Sequence, residues 1–151
     1  MAYVTHESLP LAEFAFPGPL RDALVSAVLS GQKVATASLQ REYDLDGTPL
    51  PVPGQQSVVV DSNNRAVAVI EITSVTVVPL GDVGVAHAED EGEGFRSVAQ
   101  WRAAHEMFWH GDEMRQALGS PTFTVDDNTP VVLERFRVVE RVDDAPTDPV
   151  P

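Results

Sequence analysis

The spacing of apolar positions changes several times along this chain, and each change marks an element. Leu20, Leu24, Ala27 and Val28 recur at helical intervals after Pro19, with Ala23 and Leu29 beside them. Gly31 then stands where a left-handed glycine ends a helix, so the pattern predicts a helix over 19–30. Over 34–39 apolar and small polar residues alternate, which is the period of an extended segment. Asp46-Gly47 and three prolines make 44–54 a loop. Two valine-rich runs, 56–61 and 65–78, flank Ser62-Asn63-Asn64 and read as a β-hairpin. A short helix is expected within 79–89 and a loop at 91–94. A longer helix runs from Ser97, which has capping-box spacing to Gln100, to Trp109 or beyond. Residues 121–125 and 130–142 read as the last two strands.

Some five strands with two main helices that do not alternate regularly with them exclude a doubly wound fold. The expectation is an α+β fold, built as a small, partly closed and mostly antiparallel β-barrel with flanking helices. Residues 1–13 read as an arm, with Phe14 and Phe16 following it and packing on the body. At the other end, 143–151 combines acidic residues with prolines and is expected to be a disordered tail. No internal repeat or linker divides the 151 residues, which suit one domain.

Composition narrows the function. The absence of cysteine removes disulfides, thiolate metal sites and cysteine nucleophiles, and fits a reducing compartment. Met1 to Pro10 has no Lys or Arg and no apolar run, and no apolar stretch approaches the roughly 20 residues that span a bilayer. These features predict a cytoplasmic protein with no membrane partner. The net charge of −13, from 10 basic and 23 acidic residues, argues against DNA and generic polyanion binding. A small neutral ligand suits it better. His87 and Glu91 have i, i+4 spacing but lack a complete ligand set, and no phosphate-cradling loop is present. Neither a metal nor a cofactor is expected, and the oligomeric state is open.

Three constellations offer chemistry. The first is Gly31-Gln32-Lys33-Val34-Ala35-Thr36, which holds the only lysine among ten basic residues. Lysine is a compact point charge whose pKa can fall on burial, whereas arginine stays protonated. With Thr36 it supplies a cation or base and a hydroxyl, although a surface lysine and a strand threonine have the same spacing. The second is Glu89-Asp90-Glu91-Gly92-Glu93-Gly94, either a solvated acidic loop or a tight path presenting a carboxylate. The third is Trp101, Arg102, His105, Phe108 and Trp109, whose helical spacing fits core packing as well as a ligand platform.

In order along the chain, these pieces resemble the ASCH domain family, relatives of the PUA RNA-binding fold. Phe14-Ala15-Phe16-Pro17-Gly18 precedes the first helix, and Gly31 to Leu39 resembles the family's G-x-K-x-A-T-x-S-L signature. Pro53-Gly54-Gln55 stands at the family's Gly-Asp turn. Glu91-Gly92-Glu93-Gly94, Trp101-Arg102, His105 and Val132-Leu133-Glu134-Arg135-Phe136 follow. The resemblance covers 14–142 and implies a PUA-like β-barrel with a cleft beside the first helix. One branch of the family resembles amidohydrolases of N4-acetylcytidine. Its lysine, threonine and glutamate fall here on Lys33, Thr36 and Glu91. On that reading Thr36 attacks or orients water, Lys33 acts as base or stabilises the oxyanion, and Glu91 positions Lys33 or shuttles the proton. Gly31, Ser38, Arg41, Glu93, Trp101, Arg102 and His105 would line the substrate. A second branch is associated with ribonuclease activity. The alternative reading is an RNA-binding or RNA-cleaving module, with Lys33, Arg41 and Arg102 on phosphate and Trp101 or Trp109 stacking a base. A non-catalytic nucleoside-binding module is the third reading.

Overall fold

One long strand organises the sheet. The run Ala66–Pro79, rich in Val and Ile, forms β4 of a computed structural model that describes residues 8–142. The expected acidic tail and the first seven residues of the arm lie outside that range. On one side β4 pairs antiparallel with β3 (Gln56–Val60), completing the expected hairpin around Asp61–Arg65. The Asp61 carboxylate closes that turn by accepting from Asn63 N and Arg65 N, both at 2.9 Å. On its other side β4 pairs antiparallel with β5 (Pro130–Arg141) along nearly its whole length. β5 in turn pairs antiparallel with β2 (Ala35–Leu39), and β3 pairs in parallel with the two-residue β1 (Leu11–Ala12). The spatial order is β1-β3-β4-β5-β2.

The α+β class holds, but the expected barrel does not: the sheet is open. β1 and β2 are its two edges and do not pair with each other. With two residues, β1 offers too few backbone groups to bridge them. Register shifts at Val69/Ile70 and Ile72/Ser74 mark irregular pairing along β4.

The helix α1 (Pro19–Ser30) starts on a proline and ends on Gly31, whose φ of 84° is the left-handed conformation expected of it. The predicted loop over 44–54 begins late. Gln40–Asp46 forms a short helix, α2, whose Glu42 carboxylate accepts from Leu39 N at 2.9 Å and whose end is the left-handed Gly47. Val85–Asp90 is α3. The longer predicted helix is α4 (Val98–Trp109), capped by Ser97 Oγ on Gln100 N as its spacing predicts; His110-Gly111 ends it, and a separate short helix, α5 (Asp112–Leu118), follows.

Residues 121–125, expected as a strand, are irregular. Side chains satisfy their backbone instead of a ladder: Val125 N donates to His110 Nε2 at 3.0 Å, and Arg115 Nε donates to Phe123 O at 2.9 Å. The alternation of Phe123 and Val125 reflects burial against α4 and α5, not pairing.

Two apolar clusters hold the layers together. Trp101, Trp109, Met114 and Leu118 pack the helices against Leu39 and Val131 of the sheet. Val25 and Val28 of α1 pack with Phe14, Ile70, Ile72 and Phe136. Each aliphatic side chain fully buried in this way contributes roughly 1.5–3 kcal/mol. Residues of both clusters line a cleft of about 710 Å³ beside α1.

Candidate functional site

Two loops meet at the cleft, and their backbones are bonded together. Lys33 N donates to Ala27 O and Val34 N to Asp90 O, both at 3.0 Å. Arg135 of β5 holds the Asp90 carboxylate at 2.7 Å. Gly92 lies so close to the other loop that a Cβ on it would stand 2.3 Å from Gln32 O and 2.6 Å from Lys33 N. Its φ of 70° adds a second requirement for glycine.

This junction turns Lys33 inward. The side chain is buried, with Nζ 3.4 Å from Glu93 Oε2, 3.7 Å from Glu91 Oε1 and 3.3 Å from Glu91 O. The Phe14 ring centroid lies 5.8 Å from it. Glu91 is the most heavily bonded of the group. Its Oε2 accepts from Trp101 Nε1 at 2.7 Å and meets His87 Nε2 at 2.8 Å, while Oε1 faces His105 Nε2 at 3.1 Å. His105 is itself placed by a 2.8 Å bond from Nδ1 to Trp101 O and by stacking on the Trp101 ring, centroids 4.2 Å apart.

The two carboxylates differ in electrostatics. Burial alone would raise the Glu91 carboxyl. The hydrogen bonds from His105 and His87, with the charges of His105 and Lys33, outweigh it and hold Glu91 well below the usual carboxylate range. For Glu93 burial dominates: the Lys33 charge pulls it down, the Glu91 charge pushes it up, and the result is raised. Glu91 is therefore a sequestered anion, whereas Glu93, nearer solvent, can exchange a proton. Glu91, Glu93 and His105 also lie close enough to hold a cation, but Lys33 Nζ already stands against both carboxylates.

The structure thus gathers Lys33, Glu91, Glu93, Trp101 and His105 into one cluster. Thr36 and Ser38 of β2 line the same cleft as Lys33, Glu91, Glu93 and His105. Trp101 is fully buried, as is Trp109 at 1% exposure, so Trp101 acts on Glu91 rather than as a stacking platform. Three expected residues stand apart. Gly31 is the left-handed end of α1. The Arg41 guanidinium lies 5.0 Å from the Phe123 ring centroid. Arg102 is bonded to Glu106 and Asp127. None of the three lines the cleft, and neither does the buried Trp101.

Sequence reasoning did not single out Tyr43 and Glu134, which line the cleft with Ser38. Tyr43 OH donates to Glu134 Oε2 at 3.5 Å. The available signal was a carboxylate at every-second-residue spacing between Val132 and Phe136, the buried face of a strand.

A comparison of the sequence with family models matches the ASCH domain over residues 13–140. The chain belongs to the ASCH domain family. Among solved structures, an ASCH domain from Lactobacillus crispatus JV V101 is 30% identical with a TM-score of 0.75, covering 88% of this chain and 80% of that one. A protein from Enterococcus faecalis V583 is 26% identical with a TM-score of 0.69, covering 79% and 68%. No curated protein gives a significant match. The open mixed sheet is therefore the form this ASCH domain takes, and no described helix is long and apolar enough to cross a membrane.

Two measurements check this geometry. Gly92→Ala must lower the melting temperature more than Gly94→Ala. Both glycines have positive φ, 70° and 87°, but only at Gly92 does the new Cβ meet backbone. The left-handed conformation alone costs about 1–2 kcal/mol. The second measurement uses Glu91. Its folded-state pKa is depressed, so its stabilisation is complete above the ordinary glutamate value of about 4.3 and is lost as pH falls below it. Thermal melts from pH 7 to pH 3 should show a steeper loss for the wild type than for Glu91→Gln.

Proposed function

We propose that the cleft binds a nucleoside and hydrolyses an acylated exocyclic amine on its base, of the N4-acetylcytidine type. The observation that carries this reading is the buried Lys33 ammonium held against Glu91 and Glu93 in a cleft that Thr36 also lines. Amide hydrolysis needs a nucleophile, a cation for the developing oxyanion and a group that moves a proton to the leaving amine. Thr36 Oγ, or a water it orients, attacks the acyl carbon. Lys33 stabilises the oxyanion as the ammonium or, having released its own proton to Glu93, takes the nucleophile's proton as the free amine. Glu93 delivers a proton to the departing nitrogen, leaving the free amine and, after water has added, acetate. Glu91 touches no substrate on this reading; it is a positioning residue for Lys33 and His105.

The charge around the cleft supports a neutral ligand. Glu13, Glu42, Asp46, Glu91, Glu93 and Glu134 line it, against Lys33 and Arg21, and Arg21 is spent on Ala15 O, Asp61 O and Glu13. The PUA-like fold supports a second reading, an RNA-binding or RNA-cleaving module. The paired states of Arg102 and Arg135 and the stacking of Arg41 on Phe123 weigh against it, since free cations drive phosphate contacts. That reading predicts RNA affinity that falls steeply with salt. The third reading, a non-catalytic nucleoside-binding module, predicts binding without turnover.

The test is turnover of N4-acetylcytidine by wild type and by Lys33→Arg, with melting curves to confirm folding. Arginine keeps the charge but cannot give up its proton, so kcat should fall by about 10²–10⁴-fold, the usual size of a lost acid–base contribution. Full turnover by Lys33→Arg would exclude Lys33 as base.

A further inference from the structure

A second polar cluster lines the cleft, and the proposed hydrolysis leaves it unused. β2 and β5 pair with Thr36 directly opposite Glu134, so these two side chains project from the same side of the sheet as close neighbours. Ser38, two residues along β2, shares that side. Tyr43, from the first turns of α2, brings its hydroxyl to Glu134 Oε2 at 3.5 Å. Ser38 Oγ is buried and faces the Tyr43 hydroxyl without a hydrogen bond of good geometry. A buried hydroxyl with no partner is costly, roughly 1–3 kcal/mol, and such groups in folded proteins call for an explanation. The Tyr43–Glu134 bond is also long for an O–H donor. Three groups able to donate and accept thus face one cleft incompletely bonded to one another.

We propose that Glu134, Tyr43 and Ser38 form a base-recognition subsite for the edge of an amino-substituted base. Such an edge presents a ring nitrogen acceptor beside an exocyclic N–H donor, as in cytosine and adenine. The inference rests on the nucleoside reading of the cleft but not on hydrolysis. Its chemistry follows from what Glu134 offers. A neutral carboxyl donates its O–H to the ring nitrogen and accepts from the amine through its carbonyl oxygen, matching both positions at once. An ionised carboxylate turns two acceptors toward the lone pair of the ring nitrogen, and the pairing is lost. With Thr36 immediately across the strand pair, an exocyclic amine held at Glu134 stands beside the proposed nucleophile.

Electrostatics agree with the geometry. Burial pushes the Glu134 carboxyl up to about 7 against the opposing effect of its hydrogen bond from Tyr43. Burial and the Glu134 charge push the Tyr43 hydroxyl up to about 12, so it remains a donor at neutral pH. Of the titratable groups that α2 brings to the cleft, Tyr43 is bonded to Glu134, while Glu42 and Asp46 line the cleft as well; β2 brings none, and Glu71 of β4 is bonded to Arg137 and Gln56. Lys33, Glu93 and His105 belong to the other cluster in the cleft.

The experiment is calorimetric titration with cytidine and adenosine at pH 6 and pH 8, on wild type, Glu134→Gln and Glu134→Ala. If only the neutral carboxyl pairs, its population falls about tenfold between those pH values for a pKa near 7. Wild-type affinity should therefore drop about tenfold from pH 6 to pH 8. Glu134→Gln, whose amide keeps a donor beside an acceptor without titrating, should bind equally at both. Glu134→Ala should bind weakly at either. Wild-type binding that ignores pH, a Glu134→Gln protein that titrates like wild type, or no binding of either nucleoside by folded protein would each overturn the proposal. Absence of N4-acetylcytidine turnover with this binding pattern intact would sink the hydrolysis and leave the subsite standing.

Discussion

The site is organised around one buried carboxylate that must remain charged. Glu91 is 1% exposed, and an unpaired anion there would carry a penalty of several kcal/mol. Every surrounding element contributes to avoiding it. α4 sends Trp101 and His105, α3 sends His87, and the loop after α1 sends Lys33. Removing one member of such a group leaves another charge buried alone, which typically costs about 3–5 kcal/mol. The helices and the α1–β2 loop are therefore locked to each other through a polar interaction as well as through the apolar cluster of Trp101, Trp109 and Leu118. Structural support and candidate chemistry share the same atoms.

That sharing explains a division of labour between two neighbouring glutamates. Glu91 sits at the end of α3 with both oxygens committed. Gly92 reverses the backbone against Gln32 and Lys33, and Glu93 emerges on the more solvated side of the same ammonium. Two carboxylates, two residues apart, are thereby driven in opposite directions: one is held ionised and the other is made easier to protonate. Pairs of titratable groups pushed apart in this way are characteristic of acid–base sites.

Much of this is legible in the sequence. The helix over 19–30, its glycine end, the hairpin and the last strand follow from local periodicity and turn residues, which act over a few positions. The lone lysine and the acidic Gly-rich loop were readable as candidates for the same reason. The sheet's closure was not, because it depends on how many backbone groups the edge strands can offer across the whole sheet. Phe123 and Val125 misled because burial, not pairing, sets their alternation. Arg41 and Arg102 lie outside the cleft, with Phe123, Glu106 and Asp127 as their neighbours, and motif order along a chain does not reveal such local partners. Glu134 and Tyr43 were hidden because their meeting joins a helix to a strand 91 residues away.

The burial of Lys33 also shapes how the molecule meets reactive chemistry. It is the chain's only lysine, and its side chain is 1% exposed. Apart from the α-amino group, an amine-directed acylating reagent finds its one target inside the cleft. Labelling at Lys33 would then report on access to the interior of the cleft, against the background of a single other amine.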